Sequence, residues 1–131
     1  MPKPEPSMDQ WLKEAKADPR TTACGMLLVH NGIVRITPKK QVREGVKGLG
    51  EVCEIEFSYD DAGVAAAEAE ALAWPGVSYV RTWLNEGVLQ VGDSIMYVMI
   101  GADIRPNCIE ALQKLVGKIK TELVSEVEHY R

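Results

Sequence analysis

The chain has 131 residues, of which 46% are hydrophobic and 26% are charged, and its net charge is −4 at neutral pH. This length and balance are typical of one globular domain with a single core, and they exclude a disordered chain. No apolar run approaches the ~18 residues of a membrane span, and the start, MPKPEPSMDQ, lacks the apolar region of a signal peptide. We therefore expect one domain over residues 1–131 in the cytoplasm, without membrane contact.

The N-terminal third predicts a short tail, a helix and a long strand. Residues 1–6 contain three prolines and predict a flexible tail. Ser7-Met8-Asp9-Gln10 fits a capping box, and the helix that follows ends where Asp18-Pro19 begins. Residues 24–37, CGMLLVHNGIVRIT, are apolar and β-branched, and they predict a strand with a turn or bulge at Asn31-Gly32.

Residues 38–50, PKKQVREGVKGLG, have no clear period and predict a long, mobile basic loop. Residues 33–50 hold five basic side chains against Glu44 alone, a local charge of +4 that leaves −8 for the rest: Arg35, Lys39, Lys40, Arg43 and Lys47. Such asymmetry favours a small anion as ligand, whereas the acidic remainder and the lack of interleaved aromatic residues disfavour nucleic acid. A solvated loop that happens to be basic explains the pattern equally well.

The remaining elements alternate between strands and helices. Residues 52–59 alternate in polarity and predict a half-exposed strand, with the odd-numbered positions from Cys53 to Tyr59 on its apolar side. An Ala-rich helix follows and ends at Pro75-Gly76, and strands are predicted over residues 77–85 and 94–100. A last helix begins near Pro106 and carries an apolar stripe to Leu123. The order predicts an α+β fold with a mixed, largely antiparallel sheet.

The cysteines and histidines form no metal-binding pattern. Cys24, Cys53 and Cys108 lie far apart without CxxC spacing, which favours reduced, buried thiols over a nucleophile or a metal ligand. His30 and His129 are too few for a His-rich site. We therefore predict no metal site and no bound cofactor, and a hydrogen-bonding role for His30.

Three cationic residues are the sharpest candidates for chemistry. Arg35 ends the first strand, where its guanidinium suits either a phosphate or a surface ion pair. Arg105 stands at a helix N-terminus, whose positive dipole favours an anion nearby, and Asp103 is an alternative neutralising partner. Lys120 lies at the edge of the last helix's apolar stripe, where it is suited to act as an acid, a base or a nucleophile. The alternative is a boundary lysine whose ammonium reaches out to water.

These pieces, taken in order, resemble the large, catalytic subunit of molybdopterin synthase, a MoaE-like family. The resemblance covers about residues 20–122 and rests on segments in register that are individually short: GMLLVHNGIVR, CEIEFSYDDAG, VRTWLNEGVLQVGDSIMYVMIGADIRPNCIEA and the Lys120-Thr121 pair. It implies an α/β hammerhead-type fold, a homodimer, and a small ubiquitin-like sulfur carrier with a Gly-Gly tail bound at each end, as a heterotetramer.

The resemblance also implies a reaction and a set of site residues. Sulfur passes from the carrier's C-terminal thiocarboxylate to a cyclic pyranopterin monophosphate, the pterin phosphate substrate. Carried over by position, Lys120 is the catalytic lysine, and Arg35 and Arg105 hold the substrate. The side chains expected to assist them in binding the substrate are His30, Lys39, Lys40 and Arg43.

The chain departs from this family at positions that bear on the chemistry. The family's second lysine, about seven residues after the first, corresponds to Val127. Arg131 is a candidate substitute, brought near by an extra helical turn of ~5.4 Å. Ile104 stands where the family has a histidine before the arginine, and His30 where it has an aromatic residue. The sequence therefore predicts a sulfurtransferase or, alternatively, a non-catalytic relative that binds anions, phosphate or a protein partner as a dimer.

Overall fold

The computed structural model describes residues 3–39, 45 and 50–130. Within these residues the chain forms two three-stranded antiparallel sheets and three α-helices. In the first sheet β5 (Ser94–Ala102) lies between β1 (Met26–Ile33) and β3 (Val77–Leu84). Every residue of β5 is buried, because α1 (Met8–Ala17) packs on one face of this sheet and α3 (Arg105–Lys118) on the other. A central strand covered on both faces explains the continuous apolar run in its sequence.

In the second sheet β2 (Val52–Tyr59) lies between β4 (Gly87–Gln90) and β6 (Val124–Tyr130). Between β2 and β3 the chain forms α2 (Asp61–Ala71). Its N-cap is Asp60, whose carboxylate accepts a hydrogen bond from the Gly63 N–H at 3.1 Å. The carboxylate satisfies one of the free N–H groups of the first turn, which explains why the helix begins directly after Asp60.

A π-helical segment, Ile119–Leu123, follows α3 directly and turns the chain into β6. Val124 then pairs with Tyr59 and Glu126 with Phe57, so that β6 runs antiparallel to β2. π-helical turns are rare in proteins, and those that occur are often found at functional sites. The segment links the core helix to the second sheet without an intervening loop.

The predicted α+β class and antiparallel pairing are confirmed, as is the helix that begins after Ser7, whose hydroxyl accepts a hydrogen bond from the Gln10 N–H at 3.3 Å. The predicted irregularity near Asn31-Gly32 is also present, as a shift in register between Gly32 and Ile33. β1 is shorter than predicted, because beyond Ile33 the Val34 N–H turns to the Asp93 carbonyl, 2.9 Å away.

Two strands were missed. The residues treated as a connection between β3 and β5 include β4, and the C-terminal residues, expected to extend a helix, form β6. The proposal that an extra helical turn carries Arg131 towards the site is therefore wrong in its geometry, and Arg131 itself lies outside the described residues. The predicted apolar stripe does reach Leu123, but α3 stops at Lys118 and the last five residues of the stripe, Ile119–Leu123, are π-helical.

Two further expectations need correction. In β2 the predicted alternation holds from Ile55 to Tyr59, but a bulge between Val52 and Glu54 reverses it at the start of the strand, where Val52 is fully buried and Cys53 is only partly buried. The described tail residues, 3–6, are held in place rather than frayed. The Lys3 N–H donates to the Asn85 amide oxygen at 2.8 Å, and the Tyr97 hydroxyl donates to Glu5.

Most of the basic loop predicted at residues 38–50 lies outside the described residues. Within the part of the chain that is described, no helix has the length and apolar character needed to cross a membrane.

Candidate functional site

A cleft of about 370 Å³ opens where the two sheets meet the end of the last helix. Volumes of this size are typical of small-molecule sites. Its described lining combines apolar residues with three cationic side chains and two carboxylates: Ile33, Val34, Arg35, Lys39, Ile55, Ile95, Lys120, Glu126, Val127, Glu128 and Tyr130. The lining thus brings together Arg35, Lys39 and Lys120, three of the predicted site residues, from segments distant in sequence.

Arg35 and Lys39 are positioned by the segment that leaves β1. Buried Val34 anchors this segment, since its N–H donates to Asp93 and its carbonyl accepts from Gly92, both at 2.9 Å. The exposed Arg35 donates its Nε–H to the Thr37 carbonyl at 3.1 Å, and among the described residues its other guanidinium N–H groups have no hydrogen-bond partner. A fixed backbone under a mobile cationic tip is suited to the capture of an oxyanion.

Lys120 is positioned by the π-helical segment. Its neighbour Ile119 is fully buried in the core, which fixes the turn, while the Lys120 side chain is 21% exposed and reaches the cleft. The boundary position predicted from the apolar stripe is confirmed. The Thr121 hydroxyl donates to the Gly117 carbonyl at 2.8 Å and further ties this turn to α3.

The Lys120 ammonium is paired within the chain. Its Nζ lies 2.7 Å from one oxygen of Glu126 and 2.8 Å from the other. The Lys39 ammonium is 3.8 Å from the same carboxylate, so that Glu126 lies between two cations. The Glu126 side chain is only 14% exposed, and partial burial strengthens such an interaction relative to a surface pair.

The second carboxylate has a different role. Glu128 accepts hydrogen bonds from the Lys39 backbone N–H at 3.0 and 3.2 Å and from the Tyr130 hydroxyl at 3.0 Å. It therefore connects the segment after β1 to β6, and it forms no ion pair with a lysine of the described part of the chain.

His30 lies on β1 in a partly buried position beside the cleft. Burial lowers the pKa of its imidazole, and the nearby Lys120 ammonium lowers it further. A neutral imidazole can both donate and accept a hydrogen bond. His30 does not line the cleft itself, and its predicted substrate contact stays a prediction.

Arg105 is exposed at the first position of α3 and is not part of the cleft of its own chain. Because α3 rises about 1.5 Å per residue, roughly 20 Å of helix separates Arg105 from Lys120. Asp103, the alternative neutralising partner, instead accepts hydrogen bonds from the Ile104 N–H at 2.7 Å and from the Asn107 amide at 2.9 Å. Within one chain Arg105 therefore does not meet Arg35 and Lys120, and its predicted contact with the substrate stays a prediction.

Two other predicted residues, Lys40 and Arg43, lie outside the described residues. β6 supplies Glu126, Val127, Glu128 and Tyr130 to the cleft, and of these only Val127 was identified from the sequence, as the position of the family's second lysine. Glutamates alternate with Val127 and His129, a period of two that indicates a strand. The signal is weak because the segment has few apolar residues.

The cysteines are free thiols, and Cys108 is fully buried. Burial raises the pKa of its thiol, as does the neighbouring Cys24, which makes Cys108 a poor nucleophile. Among the described residues, no group of three or more His, Cys, Asp or Glu side chains is arranged to hold a metal ion.

Comparison with known proteins identifies the family. The family model described as "MoaE protein" matches residues 5–122. The fold is similar to that of molybdopterin synthase from Staphylococcus aureus, with a TM-score of 0.72, 16% identity, and coverage of 96% of this chain and 86% of that one. No curated protein sequence matches the chain.

Two more solved structures share the fold. One is the molybdopterin biosynthesis MoaE protein from Burkholderia ambifaria MC40-6, with a TM-score of 0.70, 21% identity, and coverage of 98% and 82% of the two chains. The other is a protein–protein complex of subunits 1 and 2 of the molybdopterin-converting factor from Helicobacter pylori 26695, with a TM-score of 0.64, 17% identity, and coverage of 92% and 74%. The family match, extending over most of the sequence, shows that this chain belongs to the MoaE family, whose members take part in molybdenum cofactor biosynthesis.

Proposed function

We propose that this protein is the large subunit of a molybdopterin synthase, in which Lys120 assists sulfur transfer from a small subunit's C-terminal thiocarboxylate to cyclic pyranopterin monophosphate. The observation that carries the proposal is the convergence of Lys120, Arg35 and Lys39 on one cleft in a chain of the MoaE family. Both reactants are anionic, and cations fixed in a partly desolvated cleft stabilise negative charge as it develops during transfer.

The roles follow from position in the cleft. Arg35 presents a planar donor set suited to a phosphate, and Lys39 adds a second, more mobile positive charge. Lys120 is the less exposed of the two lysines. In this scheme it contacts the reacting sulfur or the carbonyl from which the sulfur leaves. The protein itself carries no cofactor in this scheme, because the pterin phosphate is its substrate.

The same proposal includes the partners. The complex of subunits 1 and 2 from Helicobacter pylori, which shares this fold, supports a small subunit as the sulfur carrier. We expect that subunit to end in Gly-Gly and the assembly to be a heterotetramer built on a homodimer in the cytoplasm. Arg105, remote from the cleft of its own chain, keeps its predicted role as a substrate ligand within this proposal.

Reconstitution tests the chemistry directly. The protein is mixed with a thiocarboxylated small subunit and the pterin precursor, and dithiolene product is quantified over time. Replacing Lys120 by Ala is expected to lower the rate by roughly 100-fold, as is typical when one donor to a developing charge is removed. Lys118→Ala is the matched control, because Lys118 is two residues away, pairs with Glu70 and lies outside the cleft. Equal rates for wild type and Lys120→Ala would contradict the proposed role of Lys120.

Two observations favour the alternative, a non-catalytic relative that binds an anion or a partner. Val127 occupies a cleft position for which the family resemblance implies a lysine, and Glu126 already neutralises part of the positive charge. The same reconstitution separates the two functions. Absence of product from the intact protein, despite measurable binding of the precursor, would favour the binding module.

A further inference from the structure

The Glu126 carboxylate lies where an anionic ligand of the cleft is expected to sit. It is within 2.8 Å of the Lys120 ammonium and 3.8 Å of the Lys39 ammonium, and all three side chains line the cleft. Its 14% exposure shows that the carboxylate is directed inward rather than towards bulk water. The side chain thus forms the contacts that an oxyanion from solution would otherwise form.

The charges of the lining give this arrangement a consequence. Three cations and two carboxylates leave a single excess positive charge among the described lining residues. An incoming anion that keeps Glu126 in place meets a like charge within a few ångströms, which disfavours binding. An anion that displaces Glu126 must form stronger contacts with the two ammonium groups than the carboxylate does.

We propose that Glu126 is a specificity-determining residue, an internal counter-ion that a phosphate group of the ligand displaces from Lys120 and Lys39. A singly charged carboxylate exchanges one carboxylate contact for another and gains little. Inorganic phosphate or a phosphate monoester carries a charge of about −1.5 to −2 at neutral pH and at least three acceptor oxygens, and it therefore competes effectively, whereas a cyclic phosphodiester carries one charge and gains less. The inference rests on the proposed function, since it takes the cleft to be the phosphate site.

The chain supplies a matched control. Glu128 lines the same cleft and carries the same charge, but it contacts the Lys39 backbone N–H and the Tyr130 hydroxyl instead of an ammonium group. Glu128→Gln therefore removes the same charge from the same lining while Lys120 and Lys39 keep their partner. A glutamine at position 128 also retains an oxygen that accepts the Lys39 N–H.

The experiment is a titration of the full-length protein with inorganic phosphate and, separately, with acetate, followed by ¹H–¹⁵N NMR. Wild type is expected to bind phosphate but not acetate. Glu126→Gln is expected to bind phosphate on the order of tenfold more tightly, because the ammonium groups no longer have to be released, and to bind acetate as well. Glu128→Gln is expected to give a smaller gain.

A double-mutant cycle isolates the contact. In a Lys120→Gln background the gain from Glu126→Gln is expected to fall to that of Glu128→Gln, because the pair whose release limits binding is already absent. If Glu126→Gln and Glu128→Gln raised the phosphate affinity equally in the wild-type background, the inference would be overturned, since the gain would reflect only the change in net charge.

Wild type provides a readout that does not depend on any variant folding. If phosphate displaces Glu126, the side-chain carboxyl ¹³C resonance of Glu126 shifts along the phosphate isotherm, and an unmoved resonance during saturable binding overturns the inference. The two proposals fail differently. Phosphate binding that Glu126→Gln leaves unchanged removes the inference and keeps the phosphate cleft, whereas no binding to either protein removes both.

Discussion

The central strand of the first sheet and the C-terminal strand of the second differ in what fixes them. β5, SIMYVMIGA, is buried along its whole length, and its position follows from its apolar sequence. β6, VSEVEHY, contains four titratable side chains among seven residues and is held by pairing with β2. The first region supplies stability, and the second supplies the two carboxylates of the cleft. The comparison shows that the scaffold depends on the burial of an apolar strand, whereas the site depends on the pairing of a polar strand with its neighbour.

The largest effect that distinguishes the two regions is expected at adjacent residues where they meet. Ile119 is fully buried, so that Ile119→Ala should lower the free energy of unfolding by about 2–5 kcal/mol through lost burial and a cavity. Lys120→Ala should cost below about 1 kcal/mol, because the ion pair it removes is partly open to water. Chemical denaturation of both variants measures the contrast, and an equal loss in the two would show that Lys120 supports the core.

A smaller effect should come from restoring charge on β6. Val127 lines the cleft and is 47% exposed, so that Val127→Lys adds a cation there without loss of core packing. We expect phosphate to bind about fivefold more tightly, since one more charge near the surface is worth roughly 1 kcal/mol. Reconstitution with this variant should also form dithiolene faster if the second lysine implied by the resemblance assists transfer.

Val88→Lys is the control for that comparison. Val88 lies on β4, at the opposite edge of the same sheet, is 44% exposed and does not line this cleft. Phosphate affinity should therefore stay near that of wild type. An equal gain from Val88→Lys would mean that net charge, rather than position on β6, governs binding.

The smallest expected effect concerns His30, which lies on β1 beside β5 in the first sheet. Because the pKa of His30 is lowered from 6.5 in the folded protein, the unfolded chain binds more protons as the pH falls below that value. Stability should therefore decrease with acidification from about pH 6.5 until the lower folded-state pKa is passed. Urea unfolding at about pH 7 and about pH 5.5 measures this loss, and His30→Gln should reduce it. A loss of the same size in His30→Gln would assign the dependence to other groups.

Local patterns carried the prediction of most of the scaffold. The capping serine before α1, the polarity of β2 and the apolar run of β5 are short-range signals, and each led to the correct element. The bulge in β2 was not predictable in this way, because a residue inserted into one strand is defined only by its partner strand, here β6.

The cleft was predicted only in part. Lys120, Arg35 and Lys39 were identified as cations, but their convergence required the pairing of β6 with β2 and the π-helical turn that ends α3. Glu126 and Glu128 were missed for the same reason, since a glutamate in an acidic chain carries no local mark of being directed inward. Arg105 lies at a helix terminus away from the cleft of its own chain, and its predicted contact with the substrate stays a prediction.

The sequence by itself determined the α+β class, the family resemblance and the cationic residues of the candidate site, because apolar periodicity, caps and residue chemistry are properties of the chain over a few turns or strands. Only the tertiary structure decided which of these cations meet, and that Glu126 lies between two of them. The physical reason is that an electrostatic site depends on distances of a few ångströms between segments far apart in the chain, and those distances are set by strand register and helix ends.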